Sequence, residues 1–188
     1  VQYESAGVKT EHLNVRSKAG LFDVSHMGEV IVEGPRAEEW LSSLLSNDVA
    51  AMNDNQIQYN IMCNESGGVV DDLIVYKVDD ETYLLVVNAG NHDKDVTWVN
   101  SHLLGDVRME DRSDATGQIA LQGPEAEKIL SKLVKEPLPE KNYTFKPELE
   151  VDGRKCIVSR TGYTGEDGFE VYCKAEDTPA LWDAMLAA

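Results

Sequence analysis

The sequence predicts an α+β protein in which one β-α-β-β-β-α unit occurs twice, with its helices packed on mostly antiparallel sheets. Three observations carry that reading: a 17-residue segment recurs, similar strand-like runs follow each copy, and a tryptophan-bearing helix closes each. Residues 29–45 return as residues 118–134, 89 positions further on, with seven of 17 identical and most others alike in polarity.

The elements follow in order. Residues 29–33 read as a strand, Gly34-Pro35 as a turn, and Ala37, Leu41 and Leu44 recur at helical spacing. Three strands are expected over 57–63, 69–77 and 83–88, the last two joined into a hairpin by Asp79-Asp80-Glu81. A helix over 92–103 carries Trp98. In the second copy, strand 118–122 leads through Gly123-Pro124 to a helix with Ala126, Leu130 and Leu133. Strands over 143–150, 155–160 and 169–173 follow, and then a helix from Thr178 with Trp182. Residues 107–114 and 135–141, the latter with Pro137 and Pro139, are the expected linkers. Two ferredoxin-like units result, 1–114 and 115–188, with the second ending inside its last helix. A site in the groove between copies is what such a duplication suggests.

Seventeen basic residues stand against 34 acidic ones, a net charge of −17. Contact with a polyanion would cost repulsion where nucleic-acid binding gains counterion release, so nucleic acid and an anionic membrane are excluded as partners. No apolar run approaches the ~18 residues of a membrane span. Cys63, Cys156 and Cys173 lie in apolar runs without C-x-x-C spacing, which fits free thiols in a cytoplasmic protein. The four histidines and three cysteines show no paired metal-ligand spacing, so no metal is expected. Val1 is not an initiator Met, and the chain reads as a piece of a longer one.

Candidate chemistry lies in three places. After the Gly67-Gly68 turn, Val69 to Tyr76 reads as a strand apolar on both faces, so Asp71 and Asp72 enter opposite faces. A buried carboxylate is costly unless paired. One reading has Asp71 or Asp72 binding turn N–H groups; the other gives a catalytic acid/base or ligand. The segment 160–170 has three glycines from Gly162 to Gly168, the Tyr163 ring and the Glu170 carboxylate. It is neither a P-loop nor G-x-G-x-x-G, and it reads as a plain turn or a close approach to a ligand. Asp23-Val24-Ser25-His26-Met27-Gly28 reads as a turn entering a strand, not as a catalytic triad. Asn88, ending an apolar strand, is either a cap or a ligand for an amide-like ring edge.

Val1-Gln2-Tyr3, Gly20-Leu21-Phe22-Asp23-Val24-Ser25-His26-Met27-Gly28, Gly67-Gly68-Val69-Val70-Asp71-Asp72-Leu73, Val87-Asn88-Ala89-Gly90, Leu121-Gln122-Gly123-Pro124 and Gly162-Tyr163-Thr164-Gly165-Glu166-Asp167-Gly168-Phe169-Glu170 occur in this order. Together they resemble, from end to end, the T-protein (aminomethyltransferase) family of the glycine cleavage system. The resemblance implies tetrahydrofolate at the centre of the fold. It implies transfer of a methylene group from an aminomethyl-dihydrolipoyl arm, carried by lipoylated H-protein, with release of ammonia and without a metal. By motif position it implies Asp72 as the catalytic residue and a folate pocket lined by Met27, Tyr59, Tyr76, Asn88, Tyr163 and Glu170; Asp71 is then expected to be structural. A monomer is expected.

Such chemistry needs a carboxylate that stabilises developing cation and relays protons where water is limited. It needs no protein nucleophile. The family's chains run about twice this length. This one lacks their Phe-Ala-Gly-Trp region and C-terminal barrel-like domain, with the Arg placed on the folate tail and surface that meets H-protein. An isolated fragment of this kind can be inactive. The alternatives are a non-catalytic folate-binding module and the folate domain of a demethylating oxidase. The iron–sulfur assembly relatives carry a Lys-Gly-Cys-Tyr type motif that is absent here.

Overall fold

Apolar alternation between turn signals gives the chain ten strands and five α-helices among the described residues, which are 7–188 of the computed structural model. The first half contains α1 (Val8–Ser17), β1 (Gly20–Asp23), β2 (Gly28–Glu33), α2 (Ala37–Leu44), β3 (Ile57–Cys63), β4 (Val69–Lys77) and β5 (Thr82–Val87). Then come α3 (His92–Ser101), β6 (Arg108–Asp111), β7 (Thr116–Gln122), α4 (Ala126–Leu130), β8 (Phe145–Val151), β9 (Arg154–Ser159), β10 (Gly168–Lys174) and α5 (Thr178–Ala187). Val1-Gln2-Tyr3 of the family resemblance lie outside the described residues.

Residues 25–116 form one unit. Its sheet runs β3-β4-β5-β2-β6, with each neighbouring pair antiparallel. Period-2 alternation selects the residues that face the helices. Val30 and Val32, Met62, Leu73 and Val75, and Tyr83, Leu85 and Val87 share a buried cluster with Ala37, Trp40 and Leu41 of α2 and Val99 of α3. Each large apolar side chain enclosed this way contributes about 1.5–3 kcal/mol. Lys77 ends the same face of β4 almost completely buried. Its ammonium is paired at 2.8 Å with both Glu38 and Asp80, which offsets the cost of enclosing a charge.

The second unit joins Gly117–Ala188 to the residues up to Val24. Its sheet runs β1-β7-β10-β9-β8 over a core of Ile119, Leu121, Ala126, Leu130, Phe169, Val171, Leu181 and Met185. The α+β class, the antiparallel sheets and the doubled unit agree with the sequence reading. Two features differ. Residues 20–23 do not stay with the first copy, because β1 pairs with β7 from Gly20↔Gln122 to Asp23↔Ile119. The linker expected at 107–114 contains β6, a fifth strand beside β2 from Val30↔Asp111 to Glu33↔Arg108. With charged residues at three of four positions it gives no hydrophobic signal, as suits an edge strand. The three cysteines are free; Cys156 and Cys173 are buried, while Cys63 is exposed where β3 ends at a bulge. No helix among the described residues is long and apolar enough to cross a membrane.

Candidate active site

The Gly67-Gly68 turn satisfies its own N–H groups. Asn64 Oδ1 accepts from Ser66 N at 3.0 Å and from Gly68 N at 2.9 Å, so neither following aspartate serves as a turn cap. Alternation along β4 instead sends Asp71 to the core face with Leu73 and Val75. It sends Asp72 to the opposite face with Ile74 and Tyr76. The register places Ile61 across from Asp72 and Tyr59 across from Ile74, so Tyr59 lies on the diagonal, within reach of a long side chain. Its Oη donates to Asp72 Oδ2 at 2.7 Å. Asn88, just past β5, does not cap the turn that follows it. Its Nδ2 lies 3.0 Å from Asp72 Oδ1, 3.1 Å from the Asp72 carbonyl and 3.2 Å from Asp71 Oδ1. One amide nitrogen thus ties together carboxylates that enter opposite faces of a strand. Tyr59 is 45 % exposed, so the cluster is open to a ligand at that end.

Asp71 Oδ1 also accepts the Asp72 N–H at 3.0 Å, and Oδ2 accepts from Asn91 Nδ2 at 2.8 Å. Burial works to raise the Asp71 pKa. Hydrogen bonds from Asp95, Asn91, the Asp72 N–H and Asn88 outweigh it and hold Asp71 well below the usual carboxylate range. Asp95, on α3, is fully buried; burial first, and then the neighbouring Asp71, push its pKa up. Lys94 Nζ lies 3.7 Å from Asp95 Oδ1 and donates to the Val70 carbonyl at 2.5 Å, fastening α3 to the start of β4.

Met27 lines a cleft of about 570 Å³ together with Ser25, His26, Gly90, Asn91, His92 and Ser113. Asn91 belongs both to this cleft and to the Asp71 network. His92 bridges Asp93 (Nδ1 to Oδ1, 2.9 Å) and Asp111 (Nε2 to Oδ2, 3.0 Å). The Asp93 hydrogen bond is the main cause raising its pKa, opposed by desolvation. Glu29 is buried on β2 with neither carboxylate oxygen hydrogen-bonded among the described residues. Desolvation, then the nearby Asp111 charge, push its pKa up to about 8.

In the other unit, Glu170 faces away from the Phe169–Val171 core side of β10. Its Oε1 accepts from Gln118 Nε2 at 3.0 Å, and Thr161 Oγ1 donates to Oε2. Desolvation raises its pKa against these two bonds. Gly162 and Gly168 of the 160–168 loop pack around a protein amide. A Cβ on Gly162 would fall 1.7 Å from Gln122 Oε1, and one on Gly168 would fall 2.5 Å from Gln122 Nε2. Gln122 in turn donates to the Thr161 carbonyl at 3.0 Å and accepts from Thr164 Oγ1 at 3.0 Å. So held, the loop presents Tyr163 fully exposed.

The family model described as the GCVT N-terminal domain matches residues 1–188. The chain belongs to that family. Similar proteins named Aminomethyltransferase include one from Geobacillus kaustophilus, 52 % identical over 100 % of this chain and 51 % of its own length. Another, from Clostridium botulinum (strain Okra), is 54 % identical over 97 % of this chain and 50 % of its own. The crystal structure of glycine cleavage system aminomethyltransferase T from Bartonella henselae superposes with a TM-score of 0.86 at 34 % identity, covering 97 % of this chain and 49 % of that one. A heterotetrameric sarcosine oxidase from Corynebacterium sp. U-96 shares the fold, with a TM-score of 0.64 at 14 % identity. This chain therefore spans about half the length of the relatives it matches.

Within this GCVT N-terminal domain, the expected site residues have four settings. Tyr59, Asp72 and Asn88 are hydrogen-bonded together, and Met27 lines the cleft that Asn91 joins to them. Tyr76 is fully buried on β4, opposite Leu84 and Ile57. Tyr163 and Glu170 belong to the unit that joins Gly117–Ala188 to the residues up to Val24. Sequence reasoning missed Asn91, Lys94 and Asp95. The available signal was a carboxylate at Asp95, one helical turn before the buried Val99.

Proposed function

We propose that this chain is the folate-binding half of an aminomethyltransferase of the glycine cleavage system. It would carry a methylene group from the aminomethyl-dihydrolipoyl arm of H-protein to tetrahydrofolate and release ammonia. The observation that carries the reading is the Tyr59–Asp72–Asn88 arrangement in a chain 52 % identical, over its whole length, to a protein named Aminomethyltransferase.

The residues present fit the acceptor. A reduced pterin offers several ring N–H donors, which the carboxyl oxygens of Asp72, in one unit, and of Glu170, in the other, can accept, and the exposed Tyr163 ring suits a flat face. Met27, Tyr59 and Asn88, in the unit that carries Asp72, are the other residues proposed to contact folate. Tyr76, expected to line the pocket, is fully enclosed, so its proposed part is to hold β4 in place. When bound, tetrahydrofolate supplies the nucleophilic nitrogens. Overall, the carbon–nitrogen and carbon–sulfur bonds of the aminomethyl thioether break and two bonds to folate nitrogens form. The amine departs as ammonium and the sulfur as a thiol, so the two hydrogens lost from folate are accounted for.

Asp72 is the group on this chain placed for that charge. With one oxygen held by Tyr59 and the other by Asn88, its carboxylate is oriented before substrate arrives, and a preorganised anion stabilises developing positive charge. It can also take a proton from an attacking amine. Three free cysteines suit a cytoplasmic setting, and the protein is read as a monomer that meets lipoylated H-protein. The test is the full-length protein with aminomethyl-loaded H-protein and tetrahydrofolate. Ammonia release that requires all three supports the transferase, and folate binding without any transfer defeats it in favour of a binding module.

A further inference from the structure

We propose that Asp95 is a positioning residue: a neutral carboxylic acid on α3 that donates to Asp71 and thereby fixes Asn88 and the Asp72 carboxylate. Asp95 has no exposed surface, and neither of its oxygens meets an N–H donor among the described residues. The charged groups acting on it are Asp71, from β4, and Lys94, from its own helix. Lys94 is 3.7 Å away, beyond hydrogen-bond distance, and directs one N–H to the Val70 carbonyl, so it compensates Asp95 only in part. Were both carboxylates ionised under that burial, Asp95 would be left without a donor and would repel Asp71. A carboxylic acid facing a carboxylate resolves this, because its proton supplies the hydrogen bond that Asp95 lacks.

Which partner is the anion follows from the donors. Asp71 already accepts the Asp72 N–H and the amides of Asn88 and Asn91, all of which favour the charged form. Asp95 has none of these and keeps the proton. The consequence reaches Asp72 through Asn88, whose single Nδ2 is shared between Asp71 Oδ1 and Asp72 Oδ1. If Asp71 swings or is repelled, that amide turns with it, and one oxygen of Asp72 loses its donor.

The ligand arm of the test rests on the proposed function; the folding arm does not. In the full-length protein, tetrahydrofolate affinity is measured by calorimetry across pH for wild type, Asp95→Asn and Asp95→Leu, alongside urea unfolding. Asp95→Asn keeps a donor toward Asp71 and should bind close to wild type with a flatter pH profile. Asp95→Leu should bind roughly ten- to a hundredfold more weakly, the scale of one lost hydrogen bond to a charged acceptor. Wild type should weaken as pH rises and Asp95 ionises. Equal binding by Asp95→Leu and wild type, or equal weakness in Asp95→Asn and Asp95→Leu, overturns the proposal. If wild type fails to bind tetrahydrofolate, the proposed function falls, and unfolding still decides this point. Wild type should then lose stability relative to Asp95→Asn as pH rises from the ordinary carboxylate range. A difference that stays constant with pH overturns it.

Discussion

Replacing Asn88 by aspartate keeps the side-chain shape and exchanges an NH₂ for an oxygen. In the structure that nitrogen lies 3.0 Å from Asp72 Oδ1 and 3.2 Å from Asp71 Oδ1, so Asn88→Asp sets three carboxyl groups against one another. Two charge-assisted hydrogen bonds disappear, worth about 1.5–3 kcal/mol each and less than their sum because one nitrogen serves both. Like charges at this distance would repel by about 5 kcal/mol per pair at an effective dielectric of 20, so the new carboxyl takes up a proton instead. Its pKa is then raised in the folded state above its unfolded value of about 3.9. Stability is therefore spared below that value and lost progressively as pH rises toward the folded pKa. The cost of holding the proton is about 1.4 kcal/mol per pH unit, or about 4 kcal/mol at pH 7 and about 1.5 kcal/mol at pH 5. Urea unfolding of wild type and variant at both pH values reads the difference directly. A penalty of the same size at both, or none at either, would refute the idea that Asn88 bridges two anions.

Other changes probe separate parts of the account. Glu29→Gln removes a buried carboxyl whose pKa is raised from 4.5 to about 8. Wild type is therefore most stable below the lower value and loses stability as pH climbs to the higher one. The variant should be more stable by roughly 3 kcal/mol at pH 7 and level with wild type near pH 4.5, as checked by urea midpoints. Gly162→Ala drives a methyl into the Gln122 amide and should cost at least about 2 kcal/mol in thermal unfolding; an unchanged melting temperature would dismiss the packing account of this loop. Glu170→Ala should weaken tetrahydrofolate binding by about tenfold with little loss of fold, and unchanged affinity by calorimetry counts against its proposed role.

The strands most legible in the sequence are those bounded by strong turns. β3 and β4 span the expected residues because apolar alternation stops at Gly67-Gly68 and Asp79-Asp80-Glu81. What escaped detection lacked an apolar face. α1 buries none of its residues, and β6 has one apolar residue in four, so only sheet pairing defines β6. α4 stops at Leu130, although Leu133 continues the helical spacing. The two faces of β4 were readable from period 2, and with them the separation of Asp71 from Asp72. Their reunion by Asn88 was not readable, since a side-chain bond across 16 residues leaves no mark on local pattern. Three glycines in seven residues read as a plain turn or a close approach to a ligand; in the structure Gly162 and Gly168 make room for the Gln122 side chain instead.

The central claim is that Asp72 carries the chemistry while its neighbours hold it, and Asp72→Asn in the full-length protein tests it most directly. Methylene transfer from aminomethyl-loaded H-protein to tetrahydrofolate should fall by at least about a hundredfold, as expected for loss of a preorganised charge at the reacting carbon. Tetrahydrofolate binding should persist, because the amide keeps the shape of the site. Full transfer activity in that variant would contradict the account.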